Sequence, residues 1–294
     1  MHLESNAVAV AHSLGINRPR HVLPKGACDS HMHIFDPRFA PSAHWQRTPP
    51  VAPVSTYRLL QQRLGTSRTV VVTPSTYGTD NACTLDAIAQ LGSQAKGVAV
   101  VDADVGQHEL KQLAAGGVCG LRVNFVSPQS WGETSTDMLT TLAEKIAPLG
   151  WHVQVFAHPE QLVAMAPLLS TLPLPLVIDH MGRIDPVEGE HSAAFDVVRR
   201  LLDQGNIWVK LSGAYMRSSA GEPDYTDTLA LGRALLRHAP ERMVWGSDWP
   251  HTTQPALSVN DAGLLDLLYA WCETDALAHK VLVSNPAALY QFAD

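Results

Sequence analysis

The chain has 294 residues, 46% hydrophobic and 17% charged, so it carries enough apolar material for a large core and is not a disordered chain. Acidic residues outnumber basic ones, 28 to 21, and the formal charge of −7 argues against nucleic acid or an anionic membrane as the main partner. The short apolar run Ala7–Ala11 follows Glu4 rather than a basic stretch, and no apolar run approaches the ~18 residues of a spanning helix, so neither a signal peptide nor a membrane segment is expected.

Short β-branched runs predict strands over 27–34, 69–73, 97–101, 120–124, 152–156, 176–179, 207–211 and 243–247. Helical apolar spacing fills the gaps at 80–91, 107–115, 135–147, 161–169, 193–202, 226–237 and 259–271. Thr79-Asp80 and Ser135-Thr136 read as helix starts, and Gly92, Gly150 and Gly205 as stops. Eight strands alternating with helices, without a glycine-rich phosphate loop, predict a single α/β (β/α)8 barrel over 26–294 behind an N-terminal extension, 1–25. Between the first strand and its helix, 36–54 form a long loop with five prolines and with His44, Trp45 and Arg47, a wall or lid at the barrel mouth or a stiffened surface loop. Cys28, Cys83, Cys119 and Cys272 form no C-x-x-C, as expected of reduced thiols in a cytoplasmic protein.

Catalytic groups of a barrel stand at the C-terminal ends of its strands. Strand one ends Asp29-Ser30-His31-Met32-His33, and residues two apart on a strand face the same side, so His31 and His33 both point inward. Strand six ends in Asp179-His180 just before Met181-Gly182-Arg183, and strand eight in Ser247-Asp248-Trp249-Pro250-His251, where Trp249 is expected to desolvate Asp248. Three histidines and one carboxylate thus converge on the mouth. Arg122, Arg183 and Arg217 lie at the ends of strands four, six and seven, and three cations on one rim of an acidic protein point to an anionic small molecule.

On these segments, together with Gly78-Thr79-Asp80-Asn81, Gly120–Phe125, Gly150–Val153 and Asn285-Pro286, the chain resembles the 2-pyrone-4,6-dicarboxylate lactonase branch of the amidohydrolase superfamily over nearly its whole length. The resemblance implies a lactonase acting on a small carboxylated lactone. Asp248 would deprotonate water, His31, His33 and His180 would hold the carbonyl, and Arg122, Arg183 and Arg217 would bind carboxylates. Ser75, Tyr77, Gln154 and His251 complete the expected substrate-binding set. The chain departs from the family pattern at Ser127-Pro128, Phe156 and Trp45, where the pyrone lactonase has an arginine and two tyrosines, so muconate or sugar-acid lactones enter as alternatives. Strands four, five and seven offer Arg122, Asn124, Gln154, Lys210 and Ser212 rather than the bridging ligand and extra histidines of a two-metal site. No cofactor is expected to be required. A single Zn2+ on His31, His33, His180 and Asp248, serving a hydrolase or decarboxylase, is the alternative.

Overall fold

The computed structural model of the chain describes residues 9–126 and 134–293. Eight strands pair in parallel in chain order: β1 (Cys28–Met32), β2 (Arg68–Val72), β3 (Ala95–Ala99), β4 (Val118–Asn124), β5 (His152–Phe156), β6 (Leu176–Ile178), β7 (Ile207–Leu211) and β8 (Met243–Trp245). The ring closes between β8 and β1, where Asp248 N donates to the His31 carbonyl and His33 N to that of Trp249, both at 2.8 Å. Each strand is followed by a helix: α1 (Val54–Leu64), α2 (Ala82–Leu91), α3 (Gln107–Ala115), α4 (Thr136–Ile146), α5 (Pro159–Leu169), α6 (Ala193–Leu202), α7 (Leu229–His238) and α8 (Asp261–Cys272). This is the (β/α)8 barrel that the alternation predicts.

Element ends shift for local reasons. Ser135 caps α4 by accepting from Met138 N at 3.1 Å, as its residue type leads one to expect. At α2 it is Asp80 that accepts from Ala82 N (2.8 Å), so the helix starts two residues later than predicted. Residues 226–228 wind as a tight 3-10 turn, which delays α7. Two short helices with no counterpart among the predicted elements, α9 (Asp275–His279) and α10 (Asn285–Tyr290), follow α8. Leu289, Tyr290 and Phe292 pack on Cys28, Val70, Val98, Cys119, Val177 and Val244, so the C-terminus plugs the barrel opposite its mouth.

Residues 9–25 are tied to the barrel as well. Ala11 O accepts from Trp249 Nε1 (2.9 Å), Leu14 N donates to Val259 O (2.7 Å) and Gly15 O accepts from Arg63 (2.8 Å). The 36–54 loop is pinned at its base by the Phe35–Ala52 bridge and midway by Ser42 N donating to Thr76 O (2.9 Å), which brings Trp45 and Arg47 to the mouth. All four cysteines are buried and unpaired. No described helix is long and apolar enough to cross a membrane.

Candidate active site

Asp248 Oδ1 is the focus of the mouth. It stands 3.4 Å from His33 Nε2, 3.5 Å from His31 Nε2 and 4.0 Å from His180 Nε2, and all four side chains are buried. The register of β1 places His31 and His33 side by side, with Nε2 atoms 3.3 Å apart. Gly246 makes the approach of β8 possible, because a Cβ there would lie 2.6 Å from His31 Cβ and 2.8 Å from its backbone nitrogen. Asp248 and His180 adopt left-handed backbone, φ 61° and 50°, as do Arg183 (52°) and His251 (58°). Each such non-glycine residue costs on the order of 1–3 kcal/mol, and their gathering at one rim marks a place where geometry is held against local preference.

The outer nitrogens of the histidines are fixed by neighbours. His33 Nδ1 faces the Val72 carbonyl at 2.8 Å and therefore carries hydrogen. His180 Nδ1 meets Ser212 Oγ at 2.9 Å, and Lys210 Nζ lies 3.2 Å from His31 Nδ1. Burial pushes the His31 and His180 pKa values down, with Lys210 adding to the effect on His31, so both rings are neutral near pH 7. Burial acts on Asp248 in the opposite sense, yet the facing imidazoles, His180 foremost, outweigh it and hold the carboxyl well below the usual range. Its second oxygen accepts a 2.5 Å hydrogen bond from Tyr215.

Beneath the histidines lies a buried polar floor. Asp179 accepts from Gln154 Nε2 (2.8 Å) and stands 3.4 Å from Arg122 Nε, 3.6 Å from Lys210 Nζ and 3.5 Å from His31 Nδ1. Against the cost of burial, Lys210 keeps Asp179 ionised, while burial pulls Lys210 down to about 8. A second buried carboxylate, Asp29, accepts from Ser247 N (2.9 Å), Ser247 Oγ (2.6 Å), Tyr57 (2.9 Å) and His31 N (3.2 Å), and so ties β1 to the segment carrying Asp248.

The remaining expected residues divide. Ser75, Arg122 and the unexpected Asn124 line the mouth cavity with His33, His180 and Asp248, and Asn124 Nδ2 donates to Ser75 Oγ at 3.2 Å. Arg183 is half-buried outside that lining, stacked on Phe156, whose ring centre lies 5.4 Å from its guanidinium and 5.2 Å from that of Arg122. Five further expected residues are placed elsewhere than at the mouth cavity. Arg217 pairs with Asp185 at 3.0 Å on the surface and lines a separate cavity, because the loop after β7 turns it outward. Tyr77 is buried and its hydroxyl accepts from Asp36 N (3.1 Å), anchoring the long loop instead of facing the mouth. Gln154 belongs to the floor, and His251 lies behind Tyr215 (3.2 Å) with its other nitrogen 3.1 Å from Asp261, lining an adjoining cavity rather than the one around Asp248. Trp249, next in sequence to Asp248, alternates to the opposite side and packs on Tyr57 and His12, so Tyr215 rather than the indole adjoins the carboxylate. Ser127-Pro128 lie outside the described residues.

His31 Nε2, His33 Nε2 and Asp248 Oδ1 are 3.3–3.5 Å apart, close to the ~3.3–3.4 Å edge of a tetrahedron around an ion with 2.0–2.1 Å bonds. These residues fit a single divalent ion, and His31, Asp179 and His180 form an overlapping donor set.

The family model described as amidohydrolase matches residues 28–292. The chain is 34% identical to a 4-sulfomuconolactone hydrolase of Rhizobium radiobacter, across 91% of each protein. It is likewise 34% identical to a 2-pyrone-4,6-dicarboxylate hydrolase of Comamonas testosteroni, across 93% of each. A solved Agrobacterium tumefaciens structure without ligand superposes with a TM-score of 0.87 at 29% identity, covering 94% of this chain and 98% of that one.

Proposed function

Since the chain belongs to the amidohydrolase family, we propose that it hydrolyses a small anionic lactone with Asp248 as general base. The convergence of three imidazole nitrogens on Asp248 Oδ1, within a cavity that Arg122 also lines, carries this reading. The lactone hydrolases among its relatives support the substrate class.

The outer partners of the histidines divide their work. Lys210 donating to His31 Nδ1 leaves hydrogen on His31 Nε2, and Ser212 donating to His180 Nδ1 leaves it on His180 Nε2. Both then donate toward the mouth, where an oxyanion would form. His33 spends its Nδ1 hydrogen on Val72 and presents Nε2 as an acceptor, suited to orient a water beside Asp248. In this reading the water oxygen attacks the lactone carbonyl carbon while Asp248 Oδ1 takes one proton. The tetrahedral oxyanion rests on His31 and His180. Its collapse breaks the ring C–O bond, and the proton passes from Asp248 to the departing oxygen, giving a ring-opened acid whose carboxyl then releases the second water proton to solvent.

Arg122 and Arg183, both held against Phe156, supply positive charge to substrate anionic groups. We propose that ring opening requires no metal, since Lys210 at His31 and Arg122 in the lining already bring positive charge to the site. A Zn2+ held by His31, His33 and Asp248, with His180 nearby, would polarise the carbonyl as a Lewis acid. The test is a panel of carboxylated and sulfonated lactones, assayed by ring opening before and after exhaustive chelation. Turnover of anionic members that survives chelation is expected. Failure on every anionic lactone would overturn the function, and activity that follows stoichiometric Zn2+ on removal and return would overturn the metal-free mechanism.

A further inference from the structure

The cavity containing Asp248 measures only about 70 Å3. At roughly 15 Å3 for each water-sized occupant it admits about five such units, fewer than the atoms of a lactone with an acidic substituent. A second cavity of about 250 Å3 adjoins it and shares Phe35, Trp45, Arg47, Thr76 and Thr252 of its wall. Joined, the two reach the lower end of the ~300–1,000 Å3 typical of small-molecule sites.

We infer that the substrate spans both cavities, its lactone carbonyl at Asp248 and an anionic arm in the outer chamber, where Arg47 and the indole N–H of Trp45 recognise it. This deepens the lactonase reading and rests on it for the position of the carbonyl. Three observations place the anion there. The outer chamber is lined by Arg47 and by no aspartate or glutamate. Arg47 lies over the Trp45 ring, 4.8 Å from its centre, is exposed and makes no ion pair among the described residues, so no carboxylate competes with an incoming anion for it. Trp45 Nε1 is a buried donor that no described residue satisfies, although Trp45 lines both chambers. A carboxylate between them would answer both groups. Arg217 is a poorer candidate, since Asp185 already neutralises it and Glu160 and Glu188 share its cavity.

The arm thus belongs on an exocyclic substituent long enough to leave the inner cavity, such as a carboxymethyl group. The experiment uses a butenolide with a carboxymethyl arm and its methyl ester, on wild type, Arg47→Met, Arg47→Lys, Trp45→Phe and Arg217→Met. Arg47→Met should raise KM for the acid about 10–100-fold with little change in kcat, and change the ester less than about 3-fold. Arg47→Lys should recover part of the loss, Trp45→Phe should lose about 5–10-fold on the acid alone, and Arg217→Met should stay near wild type. Equal losses on acid and ester, or a loss confined to Arg217→Met, overturn the inference. Calorimetric titration of the intact acid into the catalytically impaired Asp248→Asn protein and its Arg47→Met double variant separates this inference from the lactonase reading. Binding weakened by Arg47→Met upholds the chamber even where wild type opens no lactone, and binding indifferent to Arg47, or none at all, refutes it.

Discussion

Replacing Asp248 by Asn changes one oxygen to nitrogen at the point where three histidines meet. The amide oxygen still accepts from Tyr215, which lies 2.5 Å from Oδ2, and the amide nitrogen turns toward His33 Nε2, a bare acceptor in the proposed arrangement and 3.4 Å from the present Oδ1. Geometry is therefore retained and only proton acceptance is lost. For a general base that loss amounts to ~10²–10⁴ in kcat, or about 3–5 kcal/mol at 1.36 kcal/mol per decade. Binding should move the other way. Removing a negative charge roughly 10 Å from a substrate anion relieves ~1–2 kcal/mol of repulsion at an effective dielectric of ~20, so KM is expected to hold or fall. Steady-state and single-turnover ring opening, followed by absorbance or proton release, measure both constants. A variant with near-wild-type kcat, or one that loses only KM, would show that Asp248 is not the base.

Tyr215→Phe removes a donor to the ionised carboxylate and should lower kcat about 10–100-fold while leaving KM within about 3-fold, the signature of a misplaced Asp248; an unchanged kcat would make the hydroxyl incidental. Arg183→Met should lose one to two decades of kcat/KM on anionic lactones and little on their neutral esters, whereas equal losses would make Arg183 structural. Burial holds the Cys119 and Cys272 thiols up at about 12 and raises those of Cys28 and Cys83, so the native protein should resist iodoacetamide at pH 8 and react fully once unfolded. These thiols, with the raised Tyr57, Tyr215 and Tyr290, keep protons in the fold that the unfolded chain releases above ~8.5 and ~10, so their contribution is complete below those values and lost as pH rises. Lys210, lowered to about 8, contributes the opposite slope between about 8 and 10.4, but four thiols outweigh one lysine, so urea unfolding should show stability falling from about pH 8.5 and more steeply above about pH 10, and a continued rise there would contradict the burial of these groups.

The fold was legible because a parallel barrel writes itself into the chain as short apolar runs alternating with helical spacing. His152–Phe156 and Ile207–Leu211 have the predicted ends, the second because Asn206 and Ser212 bound its buried run directly. The α9 and α10 helices escaped because they lack the length for a clear period, and α10 is buried by tertiary contact with the barrel floor rather than by an amphipathic stripe of its own.

The site was legible where side chains ride on strands and obscure where they ride on loops. His31, His33 and Arg122 follow from the two-residue alternation of β1 and β4, and that periodicity fixes a direction as well as an address. The rule does not reach Asp248-Trp249, because Asp248 lies past the end of β8 in left-handed backbone, and the indole's turn away from the carboxylate comes from the fold. Asp179 and Lys210 were visible as strand-end polar residues, but their value lies in pairing with each other across β6 and β7, and a single sequence does not reveal such pairs. Tyr215 and Arg217 are two residues apart in the loop after β7, where no period applies, and they diverge: Tyr215 turns in to Asp248 and Arg217 turns out to Asp185. Spacing could not have told them apart. Arg47 is the complementary case, a cation on the longest loop that reaches the mouth because Tyr77 and Thr76 pin that loop's backbone from the next strand end. Catalytic groups on strands and recognition groups on loops leave the chemistry fixed while specificity varies with loop length and anchoring.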